Sequence, residues 1–121
     1  MEKINIEGKE IFVQREKPGF TQEDIGMQLG MLIAGPDTPK DLKLMVVAQD
    51  AAPAFDLNEA ANMDLIIQTV LEHFNTFKQA FVVTSPKNTA FTMAYKNKVK
   101  DPRFEVEVFY IEKAALDWLS K

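Results

Sequence analysis

The hydrophobic and polar residues of this chain form short blocks that predict strands and helices in turn. In residues 4–15, isoleucine and valine alternate with polar neighbours, as expected for one extended strand or for a hairpin that turns at Gly8-Lys9. Residues 21–34 repeat their apolar side chains at helical spacing, and Thr21 is a suitable N-cap. Residues 43–48 form one block in which 44–48 are apolar without interruption, as is typical of a strand buried on both faces.

The same alternation continues through the rest of the chain. A helix is predicted from Asp56 or Asn58 to about Thr76, followed by a buried strand over 79–84. The next helix begins at Ser85-Pro86 and ends at about Asp101-Pro102, and its apolar residues are Ala90, Phe91, Ala94 and Tyr95. An edge strand over 104–111 and a helix over 112–119 complete the chain of predicted elements. Because strands and helices alternate, the sequence predicts a single-domain α/β sandwich over residues 1–121. It has a four- to five-stranded mixed, mostly parallel sheet and about four helices, joined by right-handed crossovers.

Composition narrows the function classes. The 121 residues are 46% hydrophobic and 26% charged, the balance of an ordinary soluble domain. Lysine and arginine number 14 against 18 aspartate and glutamate, so we expect no nucleic-acid partner. Cysteine is absent, which excludes a disulfide framework, thiolate zinc sites and cysteine catalysis. Neither a targeting segment nor a membrane span is recognisable, so we expect a cytoplasmic protein without stable membrane insertion.

The residues that usually perform catalysis are scarce. Ser85 needs a base within hydrogen-bond reach to act as a nucleophile, and the one histidine, His73, is predicted at the opposite edge of the sheet. His73 also has no neighbours at metal-ligand spacing. We therefore expect no catalytic residue, metal or cofactor. An enzyme that uses Asp56, Glu59 or lysine side chains remains an open alternative.

Polar residues follow the predicted central strands, at the edge where ligands bind in open α/β sheets. The candidate binding residues at this edge are Asp50, Phe55, Asp56, Asn58, Thr84 and Ser85. Helices begin directly after them, and free amides at a helix start favour an anion. One interpretation is that these residues bind a small anionic ligand or a partner's carboxylate at this edge. The other is that they are plain helix caps.

Basic residues cluster around the third predicted helix. The cluster consists of Lys87, Lys96, Lys98, Lys100 and Arg103. It indicates either a docking face for an acidic protein partner or a solvated helix face with cations near its C-terminus. The uneven charge along the chain is also compatible with a homodimer.

A family resemblance rests on the second half of the chain. The stretch Phe81-Val82-Val83-Thr84-Ser85-Pro86, then Phe91, residues 104–109, Ala114-Ala115 and Trp118-Leu119 resemble the C-terminal half of STAS domains, and more closely the SpoIIAA-like proteins. The resemblance implies a SpoIIAA/STAS-like fold and a regulatory or protein-interaction role related to the anti-sigma factor antagonists. Those antagonists carry a phosphorylated serine where this chain has Phe55-Asp56-Leu57-Asn58-Glu59. Serine and threonine are absent between Thr38 and Thr69, so we expect the phosphorylation switch to be missing.

A second family shares this general architecture. It comprises the longer lipid-binding proteins of the Sec14 (CRAL-TRIO) type. The six methionines and nine phenylalanines of the chain suit an adaptable apolar pocket, although such residues also build ordinary cores. The two function hypotheses are therefore a non-enzymatic interaction domain that binds a protein partner or small ligand, and a small carrier of an apolar ligand or lipid.

Overall fold

The computed structural model describes residues 1–48 and 61–121. In that part of the chain, strands and helices follow one another as β1 (Glu2–Ile6), β2 (Lys9–Arg15), α1 (Gln22–Ala34), β3 (Asp41–Val47), α2 (Ala61–Leu71), β4 (Thr76–Val82), α3 (Pro86–Lys98), β5 (Phe104–Phe109) and α4 (Glu112–Leu119). The predicted α/β class and order of elements are confirmed. None of the helices described is long and apolar enough to cross a membrane.

The sheet has the strand order β1-β2-β3-β4-β5. Strands β1 and β2 pair antiparallel, and the later pairs are all parallel. Residues 4–15 therefore form a hairpin, with Glu7 and Gly8 at φ 52° and 82° in its turn. Glycine adopts such positive φ values without steric cost. The Asn5 side chain closes the turn by accepting a 3.1 Å hydrogen bond from the Gly8 amide.

The helices are divided unequally between the two faces of the sheet. Each parallel connection moves one strand further in the same direction, so connections of one hand leave α1, α2 and α3 on the same face. We call this the three-helix face, and its buried core includes Leu29, Ile67, Phe77 and Tyr95. On the opposite face, which we call the α4 face, Ala115 and Leu119 of α4 pack on buried residues of the sheet, namely Ile11, Val13, Met45, Val47, Ala80 and Val82.

Several boundaries differ by a few residues from those predicted, most of all at the junction of α2 and β4. Helix α2 ends at Leu71 instead of Thr76, and β4 begins at Thr76 instead of residue 79. The apolar stripe of the helix continues into Phe74, but Phe74 is buried in the turn between the two elements. The amide of Asn75 already donates to the carbonyl of Lys40 beside β3, so the chain is extended from that point. The predicted helix starts at Asp56 or Asn58 lie outside the described residues.

The inward face of α3 is more polar than the sequence predicts. Its buried residues are Asn88, Thr92 and Tyr95, whereas Ala90 is exposed and Phe91 is half-buried. Asn88 and Thr92 are accommodated because each makes a buried hydrogen bond to a backbone carbonyl. This polar face lies opposite the carboxyl ends of β3 and β4, where the candidate site is found.

Candidate functional site

A cavity lies at the carboxyl ends of β2, β3 and β4, between the sheet and helices α1 and α3. Glu16, Ala48 and Val83, which directly follow these three strands, line it together with the aromatic side chains Phe20, Phe81, Phe91 and Tyr95. The cavity volume is about 30 Å³, and the empty space in and around it, which includes open solvent, is about 570 Å³. The location is the sheet edge predicted from the sequence.

The polar groups in the cavity wall are bonded to one another. The hydroxyl of Tyr95 donates to Oε1 of Gln79 at 2.9 Å, and the side-chain amide of Asn88 donates to the carbonyl of Ala48 at 2.9 Å. The hydroxyl of Thr92 donates to the carbonyl of Asn88 at 2.9 Å. Burial raises the pKa of the Tyr95 hydroxyl well above its ordinary value, so this group remains a neutral donor. These bonds leave the wall with mainly apolar contacts to offer a ligand.

Among the described residues that line this cavity, Glu16 is the one with a carboxylate. Its carboxylate is half-buried, and Oε2 accepts a hydrogen bond of 3.3 Å from the side-chain amide of Gln28 on α1. Burial raises the pKa of Glu16 above that of an ordinary glutamate, and the nearby Asp24 raises it further. The Gln28 hydrogen bond opposes this shift because it favours the charged form. A carboxylate of raised pKa in an apolar cleft is a frequent property of functional sites.

Replacement of Glu16 by glutamine will raise the melting temperature at pH 7.5 by a few degrees. The raised pKa means that the folded state favours protonated Glu16, so stability falls as pH rises from the ordinary glutamate value of about 4.3 through the raised value. Glutamine cannot ionise and so avoids this loss. Thermal unfolding followed by circular dichroism at pH 7.5 and pH 4 measures the effect, which must be smaller at pH 4.

The matched control for this prediction is Glu23→Gln. Glu23 is exposed in the first turn of α1, where a negative charge stabilises the helix. Its replacement is expected to lower the melting temperature slightly at pH 7.5. Equal shifts for both variants, or a shift for Glu16→Gln that does not depend on pH, would show that burial does not disfavour the Glu16 carboxylate.

The predicted edge residues are only partly described. Thr84 and Ser85 lie beside the cavity, directly after Val83. Ser85 is the N-cap of α3, and its hydroxyl accepts a hydrogen bond of 3.1 Å from the Asn88 amide. The other predicted binding residues, Asp50, Phe55, Asp56 and Asn58, lie outside the described residues. Ser85 therefore has a structural role that accounts for its position.

Ser85 and His73 are at opposite ends of β4. His73 precedes the strand and is exposed, whereas Ser85 follows it. The seven residues of β4 alone span roughly 23 Å at the rise of an extended strand. The predicted separation of the two side chains is therefore confirmed, and this pair cannot form a nucleophile and base. The described residues also contain no group of three or more histidine or acidic side chains arranged to hold a metal ion.

The structure separates the predicted basic face into two parts. Lys87 is at the start of α3, near the cavity. The other four residues lie at or beyond the opposite end of that helix: Lys96, Lys98, Lys100 and Arg103. Lys96 pairs with Glu107 at 2.7 Å, and Arg103 pairs with Asp101 at 2.9 Å. The Arg103 contacts hold the pKa of Asp101 at about 2. Part of this positive charge is thus neutralised within the domain.

Glu16 is the site residue that sequence reasoning missed. The sequence shows a carboxylate directly after the second predicted strand segment. This position indicates a binding residue only if β2 is parallel to β3, because both strands then end at the same edge of the sheet. The pattern over residues 4–15 did not distinguish a hairpin from a single strand, and so did not place Glu16.

Comparison of the chain with protein-family models, curated proteins and solved structures finds no match.

Proposed function

We propose that this chain is a non-catalytic binding domain of the STAS/SpoIIAA-like type, whose cleft holds a small, largely apolar molecule that carries an amine. The observation that carries the proposal is the half-buried Glu16 carboxylate in a cavity whose other described lining residues offer mainly apolar contacts. An apolar pocket with a few convergent polar groups is the usual form of a small-molecule site. The position at the carboxyl ends of parallel strands also supports a binding role.

The chemistry of the cleft favours a cation or a strong hydrogen-bond donor in the ligand. Gln28 donates to one Glu16 oxygen, and the carboxylate can accept further hydrogen bonds at the other. A carboxylate that is partly removed from water interacts more strongly with a cation than an exposed one does. The apolar body of the ligand would contact Phe20, Phe81 and Phe91, which are half-buried around the cavity.

The size of the cavity favours a small molecule over a complete lipid. The cavity volume of about 30 Å³ is room for about two waters, whereas pockets that bind drug-sized ligands measure roughly 300–1,000 Å³. One ring would therefore lie mostly at the open mouth of the cavity. We expect an affinity of roughly millimolar for such a fragment, which corresponds to about −4 kcal/mol.

The experiment uses benzylamine and benzyl alcohol as probes, with the methionine methyl groups as NMR reporters. Met63 lines the cavity, and Met45 is fully buried on the α4 face, where it serves as an internal control. Benzylamine is expected to shift the Met63 methyl signal in a saturable way at pH 7.5, and to leave Met45 unchanged. Benzyl alcohol has the same ring without the charge and should bind several-fold more weakly.

The Glu16→Gln variant tests the role of the carboxylate, with Glu23→Gln as the control. In Glu16→Gln the two probes should bind with similar affinity, whereas Glu23→Gln should keep the preference for the amine. If neither probe moves Met63 in the wild-type protein, the small-molecule proposal is wrong. The remaining hypothesis would then be an interaction domain that binds a protein partner through α1. Met27 and Met31 of this helix are each 64% exposed and lie one turn apart.

A further inference from the structure

Three lysines from neighbouring strands lie on the α4 face of the sheet. Lys43 of β3 is paired directly with Lys78 of β4. Lys9 of β2 has the same side-chain direction as the buried Ile11, because alternate residues of a strand share a face. Adjacent strands are about 4.8 Å apart, so the three ammonium groups project from one small area of the sheet. This area is at the end of the sheet opposite the cavity.

Two of these lysines have a structural role at the C-terminus of α4. Lys78 donates to the carbonyl of Trp118 at 3.0 Å, and Lys9 donates to the carbonyl of Ser120. The last carbonyls of a helix have no partner within the helix, and positive charge is favourable beside them. The ammonium of Lys78 also lies 4.4 Å from the centre of the Trp118 ring. Lys9 and Lys78 thus act as C-terminal caps supplied by the sheet.

Lys43 lies between them and differs from both. It is half-buried, and the hydrogen bonds and ion pairs of the described residues do not include it. Burial lowers the pKa of Lys43, and the positive charges of Lys78 and Lys9 lower it further. Asp41 and Glu105 oppose this shift. Of these two acids, Asp41 is bound by the Thr76 hydroxyl at 2.7 Å, and Glu105 is exposed on β5.

We propose that Lys43 is an acylation site of this protein, reactive toward small acyl phosphates. The placement of Lys43 beside two further ammonium groups favours this reaction in two ways. Like charges at short distance favour the neutral amine, which is the nucleophile. The same cluster attracts the anionic phosphate of the donor. A lysine desolvated beside other cations is a recurrent arrangement in reactive lysines.

The reaction is an ordinary acyl transfer. The neutral amine of Lys43 attacks the acyl carbon, a carbon–nitrogen bond forms, and the bond from that carbon to the phosphate oxygen breaks. Inorganic phosphate leaves, and the proton lost from nitrogen passes to phosphate or water. The product is a neutral amide, so acylation removes the repulsion that Lys43 exerts on Lys9 and Lys78. The modified protein is therefore expected to melt at a higher temperature than the unmodified one.

The test treats the full chain with acetyl phosphate at pH 7.5 and low ionic strength, and measures the acetylation rate at each lysine by peptide mass spectrometry. Lys98, which is exposed near the end of α3, is the reference. Lys43 is expected to react at least about threefold faster than Lys98. Addition of 1 M sodium chloride should reduce this preference, because salt screens both the lysine repulsion and the attraction of the donor.

The variants Lys78→Met and Lys87→Met separate the cluster effect from simple accessibility. Lys78→Met removes one neighbouring charge and should slow acetylation of Lys43, whereas Lys87→Met is distant and should not change it. If Lys78→Met weakens the docking of α4, the salt dependence in the wild-type protein still tests the proposal. A Lys43 rate equal to that of Lys98, or a preference unchanged by 1 M salt, overturns it.

Discussion

Replacement of Phe77 by alanine will lower the free energy of unfolding by about 3–5 kcal/mol, the largest effect that we expect from a single truncation in this chain. Phe77 is fully buried near the amino end of β4, in the core of the three-helix face. Its ring lies 5.2 Å from that of Phe104 on β5. Removal of the ring leaves a cavity beside Phe104 in the core of the three-helix face, which the close-packed neighbours can fill only in part.

Urea unfolding of the wild type and the variant measures this loss, with Leu65→Ala as the control. Leu65 is an apolar residue of α2 that is 73% exposed, so its truncation should change stability by less than about 0.5 kcal/mol. The m-value should stay constant, because both variants unfold from the same fold. A loss below about 1.5 kcal/mol for Phe77→Ala would contradict the packing described for β4 and β5.

Replacement of Leu119 by alanine will lower the free energy of unfolding by about 2–5 kcal/mol. Helix α4 is short, and within the described residues it is the helix that packs on its face of the sheet. Leu119 is the largest fully buried side chain on α4. Its loss removes a fully buried apolar contact at the end of the helix that Lys9 and Lys78 cap.

The single tryptophan reports this change directly. Trp118 packs on Phe109 with ring centres 5.7 Å apart, so undocking of α4 should shift its fluorescence to longer wavelength. Leu116→Ala is the control, because Leu116 is only partly buried and should cost clearly less than Leu119→Ala. Equal losses for the two variants would mean that α4 does not pack through Ala115 and Leu119.

The sequence was sufficient to predict the fold class because its central strands are marked by runs of apolar residues. Residues 44–48 are apolar without interruption, and the structure buries β3 between α helices on both faces. Ser85-Pro86 and the N-cap residue Thr21 likewise predicted helix starts that are observed. These features are local, so they can be read without knowledge of strand order.

Features that depend on strand order could not be predicted in the same way. Glu16 and Lys43 owe their environments to neighbours distant in the sequence, namely Gln28 for the first and Lys78 for the second. The polar inward face of α3 was missed for a related reason. Asn88 and Thr92 have no apolar pattern, and Asn88 is acceptable in the interior because the carbonyl of Ala48 at the end of β3 is its partner.

If the cleft recognises an amine through the Glu16 carboxylate, the preference for the amine must depend on pH. The measurement is the ratio of benzylamine to benzyl alcohol affinity, followed at the Met63 methyl group from pH 8 to pH 4. Because protonation removes the charge of Glu16, we predict that the ratio falls toward one as pH falls through the raised pKa of this residue. A ratio that stays constant over this range, or that is unchanged in Glu16→Gln, would contradict the account.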